Sequence, residues 1–562
     1  MNNVKLNLGK YENEFVSKFA ELGKNEIISR VWKKDFTVWR ENPTEISNRL
    51  GWLDCSDVAK TKFNEINEFV EEIKSEDFTH ALLLGMGGSS LAPEVFKKVF
   101  GVKTGYLDLS ILDSTHPDQV QAMIDKYSKQ KTLFIVSTKS GGTVETISFM
   151  KRFYNTTMIK AGIENIGKHF VAITDPGSGL EQMAKDLKFR KIFINDPNIG
   201  GRYSALSLFG LVPAALLGVN LSEFISLVDV AIAESKNENN STAKIGVAIG
   251  VLAKQGVDKV TFILSDDLKP FGAWAEQLIA ESTGKEGKGI LPIESEENLL
   301  PENYSFDRLF VNIHLKDDNK NAEFISNLVS SGFSVIEMEL DNIYELGAQF
   351  FIWEMATVIA SWVIDIQPFD QPNVEEAKII ARKMMSDYFE KGELAKLTPI
   401  LDENGIKVYG DISVTKISEA ISKFMANMQQ GENGVLGRSY VSIQAYVNMN
   451  EEAEIAIQEL RTKIQKEYKI ATTVGFGPRF LHSTGQLHKG DAGNGLFIQI
   501  VSKNKTDVEI PDEAGEEKST VSFNVLVNAQ ALGDRAALLD NKRNVIRFDI
   551  SENVKDDIKK IF

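Results

Sequence analysis

Unbroken runs of valine, isoleucine, leucine and phenylalanine recur along this chain, each followed by a stretch with helical spacing. Such runs lack the in-and-out alternation of a half-exposed strand, so they predict parallel strands buried on both faces. In the first series the strands fall at 81–84, 109–112, 133–136, 170–173 and 192–194, and an apolar helical stretch at 209–217 closes the unit. A second series starts near Leu221, with strands at 260–264, 309–313 and 333–337 and a long apolar helix from Leu346 to about Ile366. Beyond Lys378 the pattern predicts a strand at 440–447, a helix at 452–468 and a strand at 495–501, then a charged surface loop over 503–520.

The predicted fold class is α/β. Two doubly wound parallel-sheet subdomains occupy 76–220 and 221–395, after an N-terminal helical segment, 1–75. A C-terminal α/β region, 396–562, is expected to complete the active site. At 562 residues the chain is too long for one core. No clear repeat relates the two series, and no segment is of low complexity.

Charge and cysteine content narrow the partners. The net charge of −16 argues against nucleic acid and anionic membrane, both of which need a basic footprint, and leaves room for a small anionic substrate. A single cysteine, Cys55, excludes an intramolecular disulfide, fits a reducing compartment and reads as a small buried hydrophobe. The N-terminus has no basic segment leading into an apolar core, and apolar stretches break well before the ~20 residues of a membrane span. The expected location is the cytoplasm.

Chemistry concentrates in two loops that follow predicted strands. Gly85-Met86-Gly87-Gly88-Ser89-Ser90 follows the first, and Thr138-Lys139-Ser140-Gly141-Gly142-Thr143 follows the third. Glycine lets main-chain N–H groups approach a ligand, hydroxyls donate to its oxygens, and the helix N-terminus behind adds positive potential. The first loop alone also suits a dinucleotide, but Ser90 stands where that fingerprint needs a third glycine, and Asp113 lies too far on for its ribose acid. The second loop, with three hydroxyls and one lysine, points to a phosphorylated small molecule.

Three further motifs follow in order: Gly200-Gly201-Arg202-Tyr203-Ser204, then Gln277 with Glu281-Ser282-Thr283-Gly284-Lys285, then Pro368-Phe369-Asp370-Gln371 running on to Lys378. Together with the two loops, over residues 75–390, they resemble the glucose-6-phosphate isomerase family. The resemblance implies two sugar isomerase (SIS) subdomains, interconversion of glucose 6-phosphate and fructose 6-phosphate in glycolysis and gluconeogenesis, and no metal or cofactor. It implies phosphate binding by Gly88, Ser89, Thr138, Lys139, Ser140 and Thr143. Glu281 matches the base that moves a proton between C2 and C1, and Arg202 the arginine that stabilises the enediolate. Lys378 matches the lysine near the ring-opening end, and Gln277 and Gln371 the amides that position the sugar. A homodimer is also implied.

The family opens the pyranose ring with a histidine that usually lies between the base and the lysine. Here that interval holds only His314, in a strand-like run. A matching segment, Leu481-His482-Ser483-Thr484-Gly485-Gln486-Leu487-His488-Lys489-Gly490, comes after Lys378 instead. The stretch from Tyr440 through Arg535 resembles the isomerase half of bifunctional transaldolase/glucose-6-phosphate isomerase proteins, although Asp491-Ala492 departs from their pattern. A transaldolase half is not expected, since 1–75 cannot hold a barrel of ~250 residues. His488 is the expected ring-opening residue and His482 the second candidate, and the histidines show no further metal-ligand spacing. Competing expectations are an isomerase of mannose 6-phosphate or an amino-sugar phosphate, and a sugar-phosphate sensor. Glu281 and Arg202 speak against the sensor.

Overall fold

In the first sheet the strands lie in the order Asp108–Leu112, His80–Gly85, Thr132–Ser137, Phe170–Thr174, Lys191–Ile194, all parallel. The structure, a computed structural model, describes residues 4–562 except the side chains of 375–378. Counted along the chain, the order is 2-1-3-4-5, a doubly wound sheet. Its central strands are buried throughout, which is why their sequences run apolar without alternation. The winding reverses between His80–Gly85 and Thr132–Ser137. Loops leaving the carboxyl ends of these two strands therefore diverge and open a crevice. They are the two glycine- and hydroxyl-rich loops.

The second unit repeats this topology. Leu291–Ile293, Lys259–Leu264, Arg308–Leu315 and Ser334–Leu340 are parallel in the order 2-1-3-4. Val4–Asn7 adds an antiparallel strand at the edge of this sheet, so residues 1–75 are not helical throughout as expected. The helix Leu346–Val363 is apolar enough to span a membrane, but it lies buried in the protein core.

The C-terminal region is larger than the predicted strand–helix–strand. Ala471–Phe476, Tyr440–Tyr446, Gly495–Ser502 and Asn544–Ile550 form a third parallel sheet, again in the order 2-1-3-4. The hairpin Leu401–Glu403 and Ile406–Tyr409 extends its edge antiparallel. Residues 503–520, expected as a surface loop, instead strap this unit to the first. Val508 and Ile510 are buried in the same cluster as Phe149 and Phe153, and Asp118 accepts backbone hydrogen bonds from Lys505 and Thr506. Each such buried aliphatic side chain contributes about 1.5–3 kcal/mol to docking.

Candidate active site

The first glycine loop works by close approach to protein as well as by any contact with ligand. A Cβ at Gly88 would lie 2.0 Å from the Gly201 carbonyl oxygen, so only glycine lets the Arg202 loop lie against this turn. Ser89 is half-buried in the same turn, Gly87–Ser89. In the second loop Thr143 occupies the N-cap position of the helix Val144–Ala161. Ser140 and Thr143 line a cavity of about 470 Å³, within the range of small-molecule sites. Thr138 is buried, with its hydroxyl 3.0 Å from that of Thr143. Lys139 departs from expectation. Its ammonium pairs with Asp175 and donates to the Pro197 carbonyl at 2.9 Å, so it is engaged away from the cavity.

The remaining motifs converge on Glu281, which with Arg202, Gln277 and Gln371 is not among the residues lining the cavity. Glu281 and Gln277 lie one turn apart on the helix Phe271–Thr283, which follows the first strand of the second sheet. Gln277 Nε2 donates to Glu281 Oε2 at 3.1 Å. Arg202 Nη1 stands 3.2 Å from Glu281 Oε1 and donates to Gln371 Oε1 at 2.8 Å. Its Nε donates to Ser282 Oγ at 2.8 Å, and Nη2 reaches the carbonyls of Pro368 and Asp370. The guanidinium is therefore fixed on several sides at one oxygen of a mostly buried carboxylate. Lys378 lies on the helix Pro372–Lys391, and its side chain is outside the described residues.

The third unit brings its histidine segment onto this cluster. The helix Gly485–Gly490 packs on Gly284, where a Cβ would fall 2.3 Å from Leu487 Cα; this explains the glycine of the Glu-Ser-x-Gly-Lys motif. Gln486 donates to the Gly284 carbonyl at 2.9 Å and accepts from the Asn373 N–H at 2.9 Å. His482 lines the cavity. Its carbonyl accepts from Gln277 Nε2 at 2.8 Å, and its ring Nε2 is 2.9 Å from Glu145 Oε1.

His488 does not fit the ring-opening role expected of it. It is 1 % exposed, wedged between Phe480 and Phe497, with Ser442 and Gln444 at its two ring nitrogens. Burial, reinforced by Lys489 and Arg543, pushes its pKa well below the usual imidazole range, so it is a neutral core residue.

Sequence reasoning passed over two side chains here. Glu145, in the first turn behind the phosphate loop, accepts from Gln530 Nε2 at 2.6 Å as well as facing His482. Its signal was an acid directly after the Ser/Thr loop, where a buried helix N-terminus tolerates negative charge. Lys285 is buried and donates to Asp370 Oδ1 at 2.8 Å, while burial and the nearby Arg202 bring its pKa down to about 8. Among the described residues, no group of three His, Cys, Asp or Glu is placed to hold a metal.

Residues 52–290 match the family model for phosphoglucose isomerase. The glucose-6-phosphate isomerase of Campylobacter jejuni is 26% identical over 390 residues, covering 62% of this chain and 95% of that protein. That of Prochlorococcus marinus (strain MIT 9215) is 27% identical over 487 residues, covering 76% and 89%. Among solved structures, a glucose-6-phosphate isomerase from Chlamydia trachomatis superposes with a TM-score of 0.57 at 17% identity, over 67% of this chain and 86% of that one. A hypothetical protein from Thermus thermophilus gives 0.58 at 20% identity, over 68% of this chain and all of that one. These two likenesses establish the fold.

Proposed function

We propose that this chain, a member of the phosphoglucose isomerase family, interconverts glucose 6-phosphate and fructose 6-phosphate with Glu281 as base. One observation carries the reading: Glu281 has an arginine on one oxygen and an amide on the other, and that amide also bonds the carbonyl of His482, which lines a cavity with the hydroxyl residues Ser140 and Thr143. Ser140 and Thr143 take the phosphate at the N-terminus of the helix Val144–Ala161. His482, held by Glu145, removes the O1 hydroxyl proton as the C1–O5 bond breaks. O5 takes up a proton from Lys378, the lysine that by resemblance hydrogen-bonds sugar oxygens near the ring-opening end.

Glu281 then takes the C2 proton, and the electron pair left behind forms the enediolate. Arg202 stabilises its negative charge as a permanently charged planar donor. The proton returns to C1 while the hydroxyl proton passes from O2 to O1, and the ketose results. The cytoplasm and a homodimer complete the reading. The described site side chains all come from one chain, so they need no second copy to meet.

The test couples fructose 6-phosphate to glucose-6-phosphate dehydrogenase and NADP. Glu281→Gln keeps its size but cannot accept the proton, and it should lose about 10²–10⁴ in kcat while still binding sugar phosphate. An inactive wild-type protein, or near-normal turnover by the variant, overturns the reading.

A further inference from the structure

The histidine-bearing turn Arg479–His482 belongs to the third unit, yet it must meet groups from the first and second. What holds it there is visible at its two ends. At the far end, the His482 carbonyl accepts from Gln277. At the near end, Arg479 leaves its own unit. Its Nη2 pairs with Glu94, on the helix Leu91–Phe100 of the first unit, and its Nε lies 3.4 Å from Asp113 Oδ2, just past the strand Asp108–Leu112. All three side chains are largely buried, at 17%, 14% and 9% exposure, so this is not a solvent-screened surface pair. The two acids hold the guanidinium firmly charged, and the cations Arg479 and Lys98 bring Glu94 down to about 2. Between the ends, Phe480 is buried edge-on against Tyr446 and fixes the turn to its own sheet.

We propose that Arg479 is a positioning residue: anchored on Glu94 and Asp113 of the first unit, it sets the ring of His482 against Glu145 at the cavity. This rests on the assignment of ring opening to His482. Without Arg479 the near end of this short turn is held only by Phe480, and the histidine is freer to shift with its own sheet. An arginine hydrogen-bonded to Glu94 and ion-paired with Asp113 of the opposite unit removes that freedom, and a misplacement near 1 Å costs a catalytic group about 10² in rate.

The experiment follows two steps of the reaction in Arg479→Met and Arg479→Lys: α/β anomer exchange of glucose 6-phosphate by NMR magnetisation transfer, and isomerisation in the coupled assay. In Arg479→Met, anomer exchange and kcat should fall together by about 10–100-fold, with KM within about 3-fold of wild type. Arg479→Lys keeps the charge without the fork and should fall between. Glu94→Gln loosens the same anchor from the other side without touching the turn, and should reproduce the selective loss if Arg479→Met fails to fold. Wild-type anomer exchange in a folded Arg479→Met or in Glu94→Gln overturns the inference, as does a rise in KM with kcat unchanged. If His482→Ala itself exchanges anomers normally, the ring-opening assignment fails, and with it the ground for this one.

Discussion

Replacing Glu145 with glutamine isolates the charge behind His482. The bonds to Glu145 from His482 and Gln530, at 2.9 and 2.6 Å, both end on Oε1. A glutamine carbonyl at the same point keeps both of these bonds and removes the negative charge. Hydrogen bonds to charged groups contribute about 1.5–3 kcal/mol, and neutral ones about 0.5–1.5. A difference of about 1–1.5 kcal/mol is the extra stabilisation the carboxylate gives once His482 carries the proton taken from O1, so it falls on the ring-opening step. That corresponds to a loss of about 5–10-fold in anomer exchange, and in kcat if ring opening limits it. KM should stay within about 2-fold, because remote phosphate contacts are untouched. Glu145→Ala also strands the Gln530 amide and should cost several times more. NMR magnetisation transfer on glucose 6-phosphate measures the exchange directly. Wild-type exchange in Glu145→Gln, or a loss confined to KM, refutes the reasoning.

Turnover should decline on the alkaline side with a midpoint near pH 8, as Lys285 loses the proton that holds Asp370, whose carbonyl in turn holds Arg202. Lys285→Arg, charged throughout, should move that limb upward, and an unmoved limb rules Lys285 out. Stability should respond with the opposite sign. The folded pKa lies below the ordinary ~10.4, so between about 8 and ~10.4 the unfolded chain binds the extra proton, and this group's contribution to stability rises with pH. His488→Phe should leave kcat within about 2–3-fold yet cost about 1–3 kcal/mol in denaturant unfolding, since Ser442 and Gln444 lose their buried partner. A selective loss of anomer exchange there would return the role to His488. Removing the hydroxyls of Ser140 and Thr143 together should raise KM more than it lowers kcat, with unchanged inorganic phosphate binding as the contrary result.

The strands were legible because burial on both faces leaves an unmistakable apolar run, as in Thr132–Ser137 and Phe170–Thr174. Val4–Asn7 was not, since four alternating residues on a sheet edge carry too little pattern. Ala471–Phe476 was hidden inside a stretch noticed for its chemistry, and its threonines and glycine dilute the apolar signal. The motif residues Arg202, Gln277, Glu281 and Gln371 meet in space, although nothing local in the sequence says so. The two histidines mark the limit. Six residues apart, on a turn and the helix after it, they face a cavity and a core, and only long-range packing decides which faces which. Lys139 shows the same limit, because the acid that captures it, Asp175, comes from the next strand's loop.

Gly284 pressed against Leu487 also has a bearing on how the protein is made. Translation delivers both hydroxyl loops, Arg202 and Glu281 long before the turn that carries His482. At about 5–20 residues per second, many seconds separate the base from its histidine. Throughout that interval a nascent chain has a crevice but no wall over it, and sugar phosphate entering it meets water. A product cut short before the turn Arg479–His482 lacks the histidine, the strap over the first unit and the packing on Gly284 together. The third unit must therefore fold onto the second before the proposed site is whole.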